Sequence, residues 1–291
     1  MKSRLVVLLA LWGTLGGRSA MGAELKCLLE RAPSALAGIP EASGAAVSRK
    51  TPGVLWSHGD SATTTPYLFA FDARGTARGR VRLEGTRVTD WEDVAVGPCG
   101  GSSCVYVADI GDNRAARASI SVHRFVEPSP RDPVAPLLDS FHATYPDGPH
   151  DAEAFFVTQA GEMFVVTKGE TGSIALYGFG PSPRAAATTL LRQVAVIQSG
   201  TVSRNRRITG ASASPDGKWV ALRTRDAILI HETARLVRGD LASVRSYDVS
   251  ALREPQGEGI ALGPGGAVFL TGEGGGKGAP GTLAAGVCSF R

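Results

Sequence analysis

Carboxylates recur along this chain at equivalent places. With Glu92 as position zero of a repeated pattern, the equivalent places are held by Ser43, Glu153, Thr209 and Glu258. Fifteen residues on, four copies close on a polar residue: His58, Lys168, Thr224 and Glu273. The Glu92 copy closes two residues late, at Asp109. Gathered in one place, Glu92, Asp109, Glu153, Glu258 and Glu273 would set five carboxylates beside Lys168 and His58. Clustered carboxylates repel, so some must take up protons, pair with a cation or bind a metal. Carboxylate and amide oxygens without a cysteine cluster suit a hard ion, which makes these five residues candidate ligands for Ca²⁺. The alternative is that Lys168 and ordered water neutralise the ring with no metal. Zinc is disfavoured: no two histidines share a copy, and His123, His142, His150 and His231 fit no ligand spacing. Asp60, Asp112 and Asn113 add polar groups just beyond the closing residues, and with Thr209 and Thr224 they form a candidate ligand-binding set.

For these side chains to meet, equivalent strand ends must converge. In four of the five copies turn residues begin five positions after zero: 48–53, 158–161, 214–217 and 263–266. Triplets of mainly apolar residues follow at offsets eleven to thirteen: Val54-Leu55-Trp56, Phe164-Val165-Val166, Val220-Ala221-Leu222 and Phe269-Leu270-Thr271. In the Glu92 copy the Cys99–Cys104 turn holds the two extra residues. Such turns between short β-branched and aromatic runs read as hairpins. Third runs follow at 67–71, 120–125, 174–177 and 228–230, and fourth runs at 80–83, 140–145, 193–197 and 244–249. The copies start 49, 61, 56 and 49 residues apart. Four-stranded units at this spacing are the signature of an all-β β-propeller. The count gives five blades, with six as the alternative because the longest spacing has room for extra structure. A β-sandwich would not require the match at offset fifteen. The first strand of each propeller blade lines the central channel, so positions zero and fifteen would share one end of it.

Lys2 and Arg4 precede an apolar run over 5–15, and small residues follow at 20–23. This reads as a secretory signal peptide over 1–23, leaving a single propeller domain over 24–291. The apolar run is short of the ~20 residues needed to span a bilayer. No membrane span is expected after cleavage, and the chain is expected to be secreted or periplasmic and monomeric. Removing the signal removes Lys2, Arg4 and Arg18, so the net charge falls from +4 to +1 and nucleic-acid binding loses its main support. The Arg204-Asn205-Arg206-Arg207 tract reads as a solvated loop before the fourth repeat, with a phosphate site as the alternative. Four cysteines in an exported chain suggest two disulfides. Cys99 and Cys104 flank one hairpin turn, while Cys27 and Cys288 sit at the two ends of the mature chain. The last copy has only three strand candidates, ending at 281–290. Residues 24–29 are the candidate fourth, so an N-terminal strand would close the ring and a Cys27–Cys288 bridge would lock it. The Pro- and Arg-rich stretch 127–139 reads as a surface excursion, and Trp91 and Tyr145 as blade packing, with rim aromatics for a sugar or peptide as the alternative. No helix is signalled after the leader.

Six short motifs carry a resemblance to known proteins. They are Leu55-Trp56-Ser57-His58-Gly59-Asp60-Ser61, Asp90-Trp91-Glu92-Asp93, Asp109-Ile110-Gly111-Asp112-Asn113, Tyr145-Pro146-Asp147-Gly148, Asp151-Ala152-Glu153 and Gly257-Glu258-Gly259-Ile260. With them the chain resembles secreted bacterial β-propellers of the esterase-like phytase and SdiA-regulated families. More distantly it is similar to the gluconolactonase and paraoxonase group. The Glu-Gly-Ile strand opening stands in full at Glu258, and becomes Glu-Asp-Val at Glu92, Glu-Ala-Phe at Glu153 and Thr-Gly-Ala at Thr209. Two functions of different classes follow. In the first, an exported propeller presents an acidic polar ring to a small-molecule or protein ligand at the channel rim. In the second, a Ca²⁺-dependent hydrolase cleaves an ester, lactone or phosphoester. His58 would then be its general base, and Lys168 would stabilise developing negative charge. With no Gly-x-Ser-x-Gly elbow, a covalent serine mechanism is not expected.

Overall fold

Runs of Val, Ile, Phe and Tyr bounded by Gly, Pro and Asp favour strands joined by turns. The computed structural model describes residues 26–30, 32–39, 41–59, 65–185, 187–242, 244–276 and 278–290. The expected signal peptide and Asp60 lie outside the described residues. Two short strands come first, β1 (Lys26–Leu29) and β2 (Ser34–Leu36). An antiparallel run follows: β3 (Ala42–Val47), β4 (Leu55–Gly59), β5 (Tyr67–Phe71) and β6 (Ala77–Glu84). A second run holds β7 (Trp91–Cys99), β8 (Ser102–Asp109), β9 (Ile120–Val126) and β10 (Val134–Thr144). The third holds β11 (Ala152–Val157), β12 (Met163–Thr167), β13 (Ile174–Gly178) and, after the short β14 (Thr188–Leu190), β15 (Arg192–Gln198). The fourth holds β16 (Ile208–Ala213), β17 (Trp219–Thr224), β18 (Ala227–Glu232), the one-turn helix α1 (Thr233–Leu236) and β19 (Arg245–Asp248). The last holds β20 (Gln256–Leu262), β21 (Ala267–Glu273) and β22 (Gly281–Ser289).

The first strands form a closed ring. β3 lies against β7, β7 against β11, β11 against β16, β16 against β20, and β20 returns to β3. Hydrophobic clusters fill the spaces between successive sheets. Trp56, Trp91 and Phe125 pack between the first and second runs, and Tyr106, Phe155 and Tyr177 between the second and third. Phe156 and Leu222 share the cluster between the third and fourth runs, Ile230 and Leu270 the one between the fourth and last, and Leu36, Phe71 and Leu283 seal the last sheet to the first. Burial of these faces is the main driving force of the fold. Trp91 and Tyr145 belong to this packing, as expected.

Closure uses both termini. β1 pairs antiparallel with β22 as the outer strand of the last sheet, and Cys27 stands directly opposite Cys288, to which it is bonded. Cys99 and Cys104 form the second disulfide. One expectation needs correction. The stretch 127–139 is not a surface excursion, because β10 begins at Val134 and pairs in parallel with β6, joining the first two runs into one sheet. Glu127 is fully buried. Its carboxylate accepts hydrogen bonds from the Ser48 and Ser103 hydroxyls, the Trp56 indole N–H at 3.1 Å, and the Arg49 and Lys50 backbone N–H groups.

Candidate functional site

Each inner strand carries a β-bulge at position zero. Trp91 pairs with Asp109 and Asp93 with Ala108, so Glu92 is the extra residue. Glu153 and Thr209 are extra in the same way, while Ser43-Gly44 and Glu258-Gly259 each oppose a single residue. A bulge bends its strand and re-aims the side chain. Hydroxyls at these positions stitch the ring: Ser43 Oγ donates to the Glu92 carbonyl (2.6 Å), and Thr209 Oγ1 to the Glu258 carbonyl (2.9 Å). Thr271 Oγ1 donates to the Ser43 carbonyl (2.6 Å).

Four of the expected residues come together at this end of the channel. Glu153, Lys168, Thr209 and Glu258 line a cavity of ≈ 300 Å³ with Arg204, Arg207, Arg225, Gln256 and Gly257. The cavity lining itself holds four cations and two carboxylates, so the carboxylates expected here share the mouth with cations. The arginines arrive on loops. Arg204 and Arg207 come from the turn just before β16, which is solvent-exposed at 204–206, as expected, and also lends these two side chains to the cavity lining. Arg225 comes from the register. The ladders set Asp109, Thr167, Thr224 and Gly272 opposite the residue before position zero. The next residues, Ile110, Lys168, Arg225 and Glu273, are therefore equivalent. Counting fifteen residues selected Thr224 instead of Arg225 because the hairpin lengths differ by one. A one-residue slip turns a strand side chain to the other face.

Lys168 gathers the carboxylates. Its ammonium contacts Glu153 and lies 3.5 Å from Asp151 and 3.4 Å from Glu170, while Arg207 pairs with Glu170 at 2.8 Å. Burial opposes the Lys168 charge, but Glu153, Asp151 and Glu92 outweigh it and raise its pKa above the ordinary lysine value. Burial also pushes Glu153 up to about 7, against the pull of Lys168. Glu258 is also raised well above the ordinary carboxylate range, by burial and then by the charges of Glu153 and Glu273. Gln256 links the rim, accepting from Arg204 at 2.9 Å and donating to Glu273 at 3.0 Å. Arg225 donates to the Pro255 carbonyl at 2.7 Å. Beneath, the fully buried Arg223 pairs with Glu254 and donates to the Gly259 and Thr271 carbonyls, fixing the β20 bulge that carries Glu258.

Glu92 and Glu273 lie outside this lining but close enough to act on Lys168 and Glu258, and the remaining expected site residues are elsewhere. Asp109 faces Arg117 (2.8 Å) and lines a separate cavity with Ser121 and His123. Asp112 shapes its own loop, accepting from the Ala116 and Arg117 N–H groups, and Asn113 is exposed beside it. Thr224 accepts from the Ala227 N–H inside its hairpin. His58 is buried, with Nδ1 3.0 Å from the Gly59 carbonyl oxygen and its ring edge-on to Trp91. Burial lowers its pKa to about 4, and with no exposed surface it cannot meet a substrate in the cavity. Glu92 is buried, and its carboxylate packs against Gly111.

These donors do not fit a hard cation, which needs several carboxylate oxygens converging on one point. Glu153 is engaged by Lys168, Glu273 by Gln256 and Asp109 by Arg117. Among the described residues no group of three or more His, Cys, Asp or Glu side chains could hold a metal ion.

Sequence reasoning also passed over Asp93. This fully buried residue projects into the ring one place after Glu92. Its Oδ2 accepts from the Phe155 N–H (2.9 Å) and the Ala211 N–H (3.0 Å), and its Oδ1 from the Val94 N–H (2.9 Å). One side chain thus ties β7 to β11 and β16. Gly44 makes room for it, because a Cβ there would lie 2.5 Å from the Val94 nitrogen and 2.6 Å from Asp93 Oδ1. The signal was a single acidic residue at a place where the other copies carry Gly or Ala.

No known family description matches the chain, and no curated protein does. Solved structures do match. The PQQ-bound aldose sugar dehydrogenase of Streptomyces coelicolor is 10% identical, over 92% of this chain and 99% of that one, with a TM-score of 0.55. The major allergen Mala s 1 of Malassezia sympodialis is 11% identical over 86% and 93%, with the same TM-score of 0.55. A gluconolactonase of Xanthomonas campestris is 13% identical over 85% and 72%, with a TM-score of 0.46. At such identities the likeness is one of fold, and with the closed ring of inner strands it makes this chain a β-propeller.

Proposed function

We propose that the protein is an exported, monomeric five-bladed propeller whose channel mouth binds a small, hydroxylated organic anion. The observation that carries this reading is the meeting of Arg204, Arg207 and Arg225 on a ≈ 300 Å³ cavity that Glu258 also lines. Guanidinium groups pair with carboxylate and phosphate oxygens through two parallel hydrogen bonds. Thr209 and Gln256 offer neutral partners for hydroxyls. The volume is at the small end of ligand pockets. Two disulfides are compatible with an extracellular location. Nucleic acid and protein partners have no part in this reading. Titration calorimetry with gluconate and glucuronate tests it, with glucose as the neutral control. The acids should bind saturably and glucose weakly. Arg207→Gln should cost about tenfold in affinity, the worth of a charge-assisted hydrogen bond. Equal binding of acid and sugar, or an Arg207→Gln protein that binds like the wild type, would refute the reading.

A second reading rests on the two carboxyls of the same cavity. Glu153 and Glu258 line one cavity and burial raises both, and carboxyls sharing a site can divide the roles of acid and base. This supports metal-free hydrolysis of an ester, lactone or phosphoester, not the Ca²⁺-dependent form. Turnover lost in Glu258→Gln and unaffected by chelator would support it.

A further inference from the structure

The other end of the channel holds a second cavity, of ≈ 390 Å³, that shares no lining residue with the first. All five inner strands contribute to its wall: Ala46 and Val47, Ala95 and Val96, Val157, Ala213, and Leu262. The hairpin turns supply a rim of Pro52, Pro215 and Pro264. Small side chains at Ala46, Ala95 and Ala213 leave open a volume that larger ones would fill. Towards the first mouth, the Asp93 bonds to Phe155 and Ala211 cross the ring, so the two spaces are separate. One cation stands on the wall. Arg49 is half-buried, and its side chain donates to a neutral acceptor, the Gln159 amide oxygen, at 2.8 Å. The nearby Glu127 carboxylate is already filled by five other donors, including the Ser48 hydroxyl and the Trp56 indole. Burial holds the Arg49 pKa below its ordinary value, although Glu127 opposes this. A mostly apolar basin with one placed charge is the usual anatomy of a site for an amphipathic small molecule.

From this geometry we infer that the turn-side cavity binds a small amphipathic carboxylate, its apolar body against Ala95, Val157 and Leu262 and its carboxylate on Arg49. The inference is independent of the ligand at the first mouth. Octanoate, octanol and octylamine are probes of equal body and different head. Calorimetry on the disulfide-bonded protein should show saturable octanoate binding, weaker octanol binding and no octylamine binding. Arg49→Gln should weaken octanoate about tenfold or more and leave octanol unchanged. Filling the cavity by Ala95→Phe, or by the milder Ala213→Leu where the first variant melts early, should abolish both. Arg207→Gln, in the first mouth, should leave octanoate binding as in the wild type. The inference is overturned if octanoate fails to saturate or octylamine binds as well as octanoate. It is equally overturned if a folded cavity-filled variant still binds octanoate, or if Arg207→Gln alone removes the binding.

Discussion

Asp93→Ala tests the central claim about how the ring is held. The side chain has no exposed surface, and its Oδ2 is the acceptor for two backbone N–H groups on other strands, Phe155 and Ala211. Truncation leaves both donors buried with nothing to accept them. A buried donor stripped of its partner costs about 1–3 kcal/mol. Two of them cost roughly 2–6 kcal/mol, a large share of the roughly 5–15 kcal/mol by which a domain is stable. Asp93→Asn is the control. Its amide oxygen can still accept from Phe155 and Ala211, and only the local Val94 bond is lost, so it should cost about 1–2 kcal/mol. The assay is urea denaturation with both disulfides intact, comparing midpoints at unchanged slope. An Asp93→Ala protein within about 0.5 kcal/mol of wild type would refute the reasoning. So would an Asp93→Asn protein that falls as far as the alanine variant, since the acceptor geometry would then not matter.

Three further outcomes are expected. Glu153 is raised from 4.5 to about 7 in the folded protein, so its neutral form contributes stability that is full below 4.5 and lost as pH rises through 7. Melts across that window should fall with pH in the wild type and fall less steeply in Glu153→Gln. Gly44→Ala should lower the melting temperature and raise the unfolding rate, because its Cβ meets backbone atoms of Val94 and Asp93 that cannot swing away; an unchanged melt would count against the tight ring. The Cys27–Cys288 bridge spans 261 residues and the Cys99–Cys104 bridge 5, so by loop-closure entropy the first should stabilise by about 3 kcal/mol more. Equal losses in the two double-serine variants would contradict a closure role for the terminal bridge.

Much of the fold was legible because turn chemistry and strand alternation are local. β5 falls at the residues read as the third run of its copy, and β22 with β1 forms the closure that the cysteines suggested. The stretch 127–139 was misread for a physical reason. Prolines there suggest a loop, yet Pro136 is accommodated in the parallel pairing of β10 with β6. Proline is tolerated where a strand need not donate to the ladder. Glu127, read as part of a polar excursion, is buried because five donors from other segments converge on it, which no single-segment pattern reveals.

The site was half legible, and the missing half changes its chemistry. Position zero was indexed well, since bulges keep Glu153, Thr209 and Glu258 in equivalent places whatever the turn length. Offset fifteen was not, because it crosses a turn whose length varies, so Lys168 was found while its register equivalent Arg225 was missed. Arg204 and Arg207 precede the inner strand and belong to no repeat offset. Counting only repeat positions therefore left out the cations that the loops bring, and made a metal the expected partner of the carboxylates. Arg204, Arg207 and Arg225 set guanidinium groups beside those carboxylates. On the function proposed above, these cations take the place of a metal and the mouth takes an anion. Chelator should therefore leave the melt unchanged, whereas gluconate should raise it, since a ligand bound only by the folded state stabilises that state in proportion to the logarithm of its concentration once in excess. A melt lowered by chelator would restore the metal and remove the anion.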